Sequence, residues 1–165
     1  MSSKIMKNDE LLLKRRISEA QRHYRGSQYK LAIDNYSQAL ELMMSSSPEE
    51  RRDVFLARSA CYVAAGMPQQ AVKDADAAIE LDKESCSAYF QKAEAYFSFG
   101  QFEQALINYY RAYQRRPDID KFRLGVQKAE NAVLQAVSTC VPGDDLHVEF
   151  GISEPNNQQL MQAVL

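Results

Sequence analysis

The 165-residue sequence predicts an all-α fold, a right-handed superhelical stack of three helix–turn–helix repeats closed by a C-terminal capping helix. Three observations predict it. Two blocks align at a spacing of 34 residues, with Tyr62, Gly66, Ala71 and Ala78 matching Tyr96, Gly100, Ala105 and Ala112. A weaker copy lies upstream, where Ala32 and Ala39 stand 39 residues before Ala71 and Ala78. Six glycines, five prolines and no tryptophan suit a helical chain better than a sandwich or barrel. A fixed period of this length, with small residues and aromatics at set offsets, marks units that cannot bury their apolar faces alone and must stack.

The elements follow in order. Asn8 is a candidate cap for a first helix, with Asp9 and Glu10 favourably placed at its positive end, and that helix reaches about Arg25. Ser27-Gln28 makes a turn, and a partner helix from Tyr29 to about Met44 carries Ala32, Tyr36, Ala39 and Leu40 on one face. Ser47-Pro48-Glu49-Glu50 reads as a helix start with a capping box, so the five extra residues of the first period lengthen a loop or a helix end here. The second unit pairs a helix of about Pro48 to Ala65 with one from Pro68 to Leu81, and Gly66 supplies the left-handed stop between them. The third runs from about Glu84 to Phe99, turns at Gly100 and returns from Phe102 to Arg115, with Pro117 beyond its end. Small residues (Ala20, Ser59, Ala93, Ala32, Ala71, Ala105) mark close helix approaches, and Tyr36, Tyr62, Tyr96, Phe102 and Tyr109 fill the gaps.

Past Pro117, Asp118 or Asp120 can cap one further helix. Its stripe of Phe122, Val126, Ala129, Val133 and Val137 suits a terminal helix hiding the last apolar face, with Lys121, Lys128 and Glu130 off the stripe. The expected organisation is repeats over 9–45, 48–82 and 84–117, a cap over 118–138 and a mobile tail over 139–165. In that tail Val148, Phe150 and Ile152 form an apolar strip able to occupy a groove of the chain's own.

Composition narrows the function. A net charge of −2 and a pI near 5.7 give no general attraction to nucleic acid or anionic membrane, and neither is expected as a partner. No leader peptide is expected, because no apolar run of the needed length precedes Lys14-Arg15-Arg16, and no stretch is long enough to span a bilayer. Cys61, Cys86 and Cys140 are an odd, widely spaced set, which fits a reducing cytoplasmic compartment. His23 and His147 are far apart, and neither metal-ligand spacings nor phosphate loops nor nucleophile elbows occur. No catalytic residue, metal or cofactor is expected, and the chain reads as a protein-binding module. The basic clusters Lys14-Arg15-Arg16, Arg51-Arg52 and Arg115-Arg116 suit either an acidic partner such as a tubulin tail or an ordinary solvated face.

In such stacks the first helix of each unit lines the concave side. Counting along the repeat register gives a groove of Ile17, Gln21, Tyr24, Leu56, Ala57, Ala60, Val63, Phe90, Gln91, Glu94 and Phe97, apolar in its middle and suited to a protein partner. The same face invites cover from the chain's own tail or terminal helix.

These repeats resemble the tetratricopeptide family over about residues 10–117. One branch of that family clamps the terminal carboxylate of heat-shock chaperones with Lys, Asn, Asn, Lys and Arg. The matching positions here are Ile17, Gln21, Ala57, Ser87 and Gln91, so no cation is left to hold a carboxylate. A more specific resemblance lies in Phe90-Gln-Lys-Ala-Glu-Ala-Tyr96, Gly100-Gln-Phe-Glu-Gln-Ala-Leu106, Arg116-Pro-Asp118 and Phe122-Arg-Leu-Gly-Val-Gln-Lys-Ala129, supported by Leu56-Ala-Arg-Ser-Ala-Cys61 and Val72-Lys-Asp-Ala75. These segments resemble the N-terminal repeats of the tetratricopeptide subunit of the outer-dynein-arm docking complex, through about residue 138. That resemblance implies a non-catalytic scaffold of the ciliary or flagellar axoneme. Its implied partners are coiled-coil docking-complex subunits and the dynein-arm and doublet-microtubule assembly. The alternative is a cytosolic adaptor or co-chaperone binding a peptide without a carboxylate clamp.

Overall fold

The computed structural model describes residues 2–140, so the predicted tail from residue 141 onward, with His147 and the Val148–Ile152 strip, lies outside the described residues. Seven α-helices are present among the described residues: α1 (Ser2–Arg25), α2 (Tyr29–Leu42), α3 (Pro48–Ala64), α4 (Pro68–Leu81), α5 (Cys86–Ser98), α6 (Phe102–Arg115) and α7 (Asp120–Cys140). A short 3-10 turn, Met43–Ser45, follows α2 and accommodates the extra residues of the first period. The sequence-expected ends of α4 and α6 coincide with those observed.

α2 stops at Leu42, two residues short of about Met44, where the 3-10 turn takes over, and three further ends differ by two residues or more, each for a local reason. α1 starts upstream of Asn8, because Lys4 to Lys7 contains no breaker and a single Asn is tolerated inside a helix. α5 starts at Cys86 instead of about Glu84, because the Asp82 side chain accepts the Glu84 backbone N–H at 3.0 Å and holds that turn outside the helix. α7 runs through Thr139 and Cys140, beyond the expected end at 138. Its start is at Asp120, while Asp118 is turned back onto Arg116 at 2.8 Å.

The capping box is present at α3. The Ser47 hydroxyl accepts the Glu50 N–H at 3.2 Å, and the Glu50 carboxylate accepts the Ser47 N–H at 3.3 Å. Small residues set the helix spacing. Ala20, Ala32, Ala39, Ser59, Ala71, Ala78, Ala93, Ala105 and Ala112 are all fully buried. At the α3–α4 crossing the Ser59 hydroxyl reaches the Ala71 backbone carbonyl at 2.8 Å, a contact that a larger side chain at either position would prevent.

Each unit rests on its neighbours. One apolar cluster joins α1, α2 and α3 through Ala20, Ile33, Tyr36, Met43, Val54 and Cys61, and another joins α5, α6 and α7 through Ala93, Ala105, Tyr109, Val126 and Ala129. Between them Arg58 on α3 makes a two-pronged bond to Asp74 on α4, both arms 2.7 Å, and donates to the Ser37 hydroxyl on α2 at 2.9 Å. That carboxylate raises the guanidinium's affinity for its proton, against the opposing effect of burial.

The three intra-unit turns share one hydrogen-bond pattern. Gln28, Met67 and Gln101 donate their backbone N–H groups to the carbonyls of His23, Tyr62 and Tyr96 at 2.9, 2.8 and 3.0 Å. The residue before each donor is left-handed: Ser27 at φ 57°, Gly66 at 72° and Gly100 at 77°. In the first unit the available glycine, Gly26, stands one position early, so an L-residue takes the left-handed place. Ser27→Gly is expected to stabilise the fold by about 0.5–1 kcal/mol, the relief of that backbone offset in part by glycine's entropy. A thermal melt checks it, and a rise of about 1–4 °C is the expected result for a domain of this size.

Candidate protein-binding groove

α3 touches α5 and α5 touches α7 directly, whereas α2, α4 and α6 make no comparable contact with one another. The first helices α3, α5 and α7 therefore form the inner wall of the stack, and α1 adds to it through the pocket it shares with α3. α7 joins that wall as a first helix of a further unit would. Advancing the register by 34 residues carries Val54 to Ala88 to Phe122 and Cys61 to Ala95 to Ala129, all buried. The position matching Ser59 and Ala93 is Gln127, and it is exposed, since no second helix of that unit lies behind it among the described residues.

The predicted groove residues of the first two units fall into three groups. Ile17, Gln21 and Ala57 come together in an open pocket of about 470 Å³ between α1 and α3, floored by Tyr36 and Met43 and edged by Glu10, Lys14, Glu50 and Asp53. Leu56, Ala60 and Val63 continue along α3, all half-buried. Tyr24 stands apart, 41% exposed, with its ring tilted against Tyr29 at 5.8 Å, and partial burial pushes its phenol pKa up. Of the clamp-equivalent positions, Ser87 is exposed and Gln91 half-buried on α5.

At the third unit the groove side chains are already engaged. Phe90 is half-buried, with Tyr109 at 5.5 Å and Phe122 at 5.3 Å from its ring. Phe97 lies against Phe102 at 5.1 Å and under the Lys128 ammonium at 4.0 Å. Glu94 accepts from the Tyr109 hydroxyl, and both of its oxygens lie 3.3 Å from Lys128 Nζ. Burial, and after it the bond to Glu94, raises the Tyr109 pKa strongly. Phe90, Glu94 and Phe97 thus anchor α7 and remain half-buried.

Sequence reasoning set Lys121 and Lys128 aside as lying off the apolar stripe, yet both reach the groove face. Lys121 Nζ lies 5.3 Å from the Phe90 ring centre and 5.1 Å from that of Phe122. The signal was available in the register, for Ser87 and Glu94 advanced by 34 residues are Lys121 and Lys128. The basic clusters are mostly paired locally, Lys14 with Glu10 at 2.6 Å, Arg15 with Glu19 at 2.9 Å, Arg52 with Asp53 and Asp82 at 2.8 Å, and Arg115 with Glu84 at 3.3 Å. Among the described residues no cluster of His, Cys, Asp and Glu is placed to hold a metal, and no helix is long and apolar enough to cross a membrane.

Comparison with known proteins agrees with this architecture. A tetratricopeptide-repeat family model matches residues 87–119. The fold is that of a tetratricopeptide-repeat domain. The crystal structure of the Sgt2 tetratricopeptide domain from Aspergillus fumigatus superposes with a TM-score of 0.69 at 22% identity, covering 85% of this chain and 91% of that one. Over 123 residues, 74% of its length, the chain is 39% identical to outer dynein arm-docking complex subunit 4 of Xenopus laevis. Over the same length it is 34% identical to the Homo sapiens protein of that name. The chain spans 22% and 17% of those two relatives.

The seat of α7 makes a testable point. A Cβ placed on Gly125 would lie 2.5 Å from Tyr109 Cδ1 and 2.7 Å from Cε1, and that ring is fully buried. Gly125→Ala is therefore expected to destabilise the protein by about 1–2 kcal/mol, the overpacking cost outweighing a helix-propensity gain of up to about 1 kcal/mol. Chemical denaturation measures the loss, and hydrogen exchange is expected to show it concentrated in α7.

Proposed function

We propose that this chain is a non-catalytic scaffold that holds protein segments in the groove formed by α1, α3, α5 and α7, as part of the apparatus docking outer dynein arms to axonemal doublet microtubules. The observation that carries the reading is the 39% identity to outer dynein arm-docking complex subunit 4, over 74% of the chain. A stack of first helices exposing half-buried apolar side chains supports recognition of a segment by shape and burial. In this reading the partners are docking-complex subunits of coiled-coil character and the arm–doublet assembly, and the site of action is the cilium or flagellum. The cytosolic-adaptor alternative would need another way to hold a chaperone tail, because Ile17, Gln21, Ala57, Ser87 and Gln91 supply no cation.

Phe90 and Phe97 are poor probes of this reading, since truncating either would also loosen α7. Ala60 is better, being half-buried on α3 and outside both apolar clusters. Ala60→Arg is expected to leave thermal stability within about 0.5 kcal/mol, the arginine stem lying along the groove with its head in water. Recovery of docking-complex subunits with the tagged chain from ciliated cells is expected to fall about tenfold, a change of about 1.4 kcal/mol. A peptide ending in the chaperone acidic motif is expected not to bind in calorimetry. Undiminished recovery by Ala60→Arg would place the partner surface elsewhere.

A further inference from the structure

We propose that the groove selects an amphipathic segment that is basic at one end and acidic at the other, laid with its basic end in the α1–α3 pocket and its acidic end against α7. This rests on the groove-binding reading above and adds the order of charge in the partner.

The two ends of the groove carry opposite charge. At the α1–α3 end the pocket is lined by the carboxylates of Glu10, Glu50 and Asp53 against the single ammonium of Lys14. Lys14 is taken by Glu10 at 2.6 Å, and Glu50 keeps one oxygen on its cap bond at 3.3 Å. Asp53 is approached from its own helix by Arg52, which also reaches Asp82, and Arg52 does not line the pocket. At the other end stand Lys121 and Lys128. Lys128 shares its charge with Glu94, but Lys121 makes no ion pair among the described residues and rests over two aromatic faces. Between them lie the half-buried Leu56, Ala60 and Val63 on α3 and Phe90 and Gln91 on α5, which carry no charge.

Distance makes the two ends separate readers. Three helix spacings of 8–10 Å put α1 and α7 roughly 25–30 Å apart. That is about three screening lengths at physiological salt, so a charge at one end is not cancelled by the other. A helix of roughly 18–20 residues covers the span. A uniformly acidic segment would face the three carboxylates, and a uniformly basic one would face the lysines, so opposed charge rejects both while apolar burial supplies affinity.

The test uses four fluorescent 20-residue peptides sharing one amphipathic apolar centre, with ends Arg/Glu, Glu/Glu, Arg/Arg or Gln/Gln, titrated with the full chain by anisotropy. The expected result is that Arg/Glu binds about tenfold tighter than either same-charge peptide at about 0.05 M salt, with the margin shrinking at about 0.5 M. Lys121→Gln is expected to erase the preference over Arg/Arg alone. The double variant Glu50→Gln with Asp53→Asn is expected to erase the preference over Glu/Glu alone, and Gln at 50 keeps the cap. Equal binding of all four peptides, lost in Ala60→Arg, would overturn the charge order and leave the groove standing. Binding indifferent to Ala60→Arg would overturn the groove reading as well. No binding by any peptide at about 1 mM would overturn the charge order, with the groove then judged by recovery of docking subunits.

Discussion

The close approach of paired helices at their small residues is the constraint on which this molecule depends. Where Ser59 meets Ala71, a hydroxyl touches the facing backbone, so the two helix axes are as near as side chains permit. The equivalent positions in the other units, Ala32 and Ala105, are both fully buried. Because each pair is held this tightly, α3 meets α5 and α5 meets α7, and the inner wall of the stack follows from the packing within the units. A larger residue at one of these crossings would change the groove as well as the core, since both are set by one distance.

The terminal helix shows how a stack can end without wasting its last face. Phe122, Val126 and Ala129 seal the third unit, which is the covering role its stripe suggests. The absence of a Cβ at Gly125 lets the helix settle on the Tyr109 ring, and Tyr110 adds a 2.8 Å bond to Glu130. Burial pushes the Tyr110 phenol up to about 12, so that donor keeps its proton across the physiological range. The opposite edge of the same helix presents Lys121 to the groove. One element therefore closes the core with its apolar side and, in the proposed reading, extends the groove with its charged side.

Much of this was legible in residue order. The 34-residue period locates the helices, Gly66 and Gly100 mark the left-handed stops, and Ser47-Pro48-Glu49-Glu50 specifies a cap, all features set by residues within a few positions of one another. What was not legible depends on contacts between distant segments. Ser27 adopts a glycine-like conformation because two adjoining helices fix the turn, not because serine prefers it. Phe90 and Phe97 count correctly onto the inner helices, but the register does not say that α7 supplies them with neighbours. Gly125 looks like a weak point in a helix until Tyr109 is placed beneath it.

The distribution of charge separates what holds the fold from what remains open to a partner. The Arg58–Asp74 pair is largely enclosed, with side chains 17% and 8% exposed, and losing one member of such a pair costs about 3–5 kcal/mol because the other is left buried and unpaired. Exposed pairs such as Lys14–Glu10 are screened by water and salt, so replacing them changes the surface field with little effect on stability. Lys121 lies at the far end of this range, a cation that the core does not need for pairing. Stability resides between the helix layers, whereas charge along the inner rim is nearly free to vary. A repeat stack built this way can alter its choice of partner through rim residues without rebuilding the crossings that create the groove.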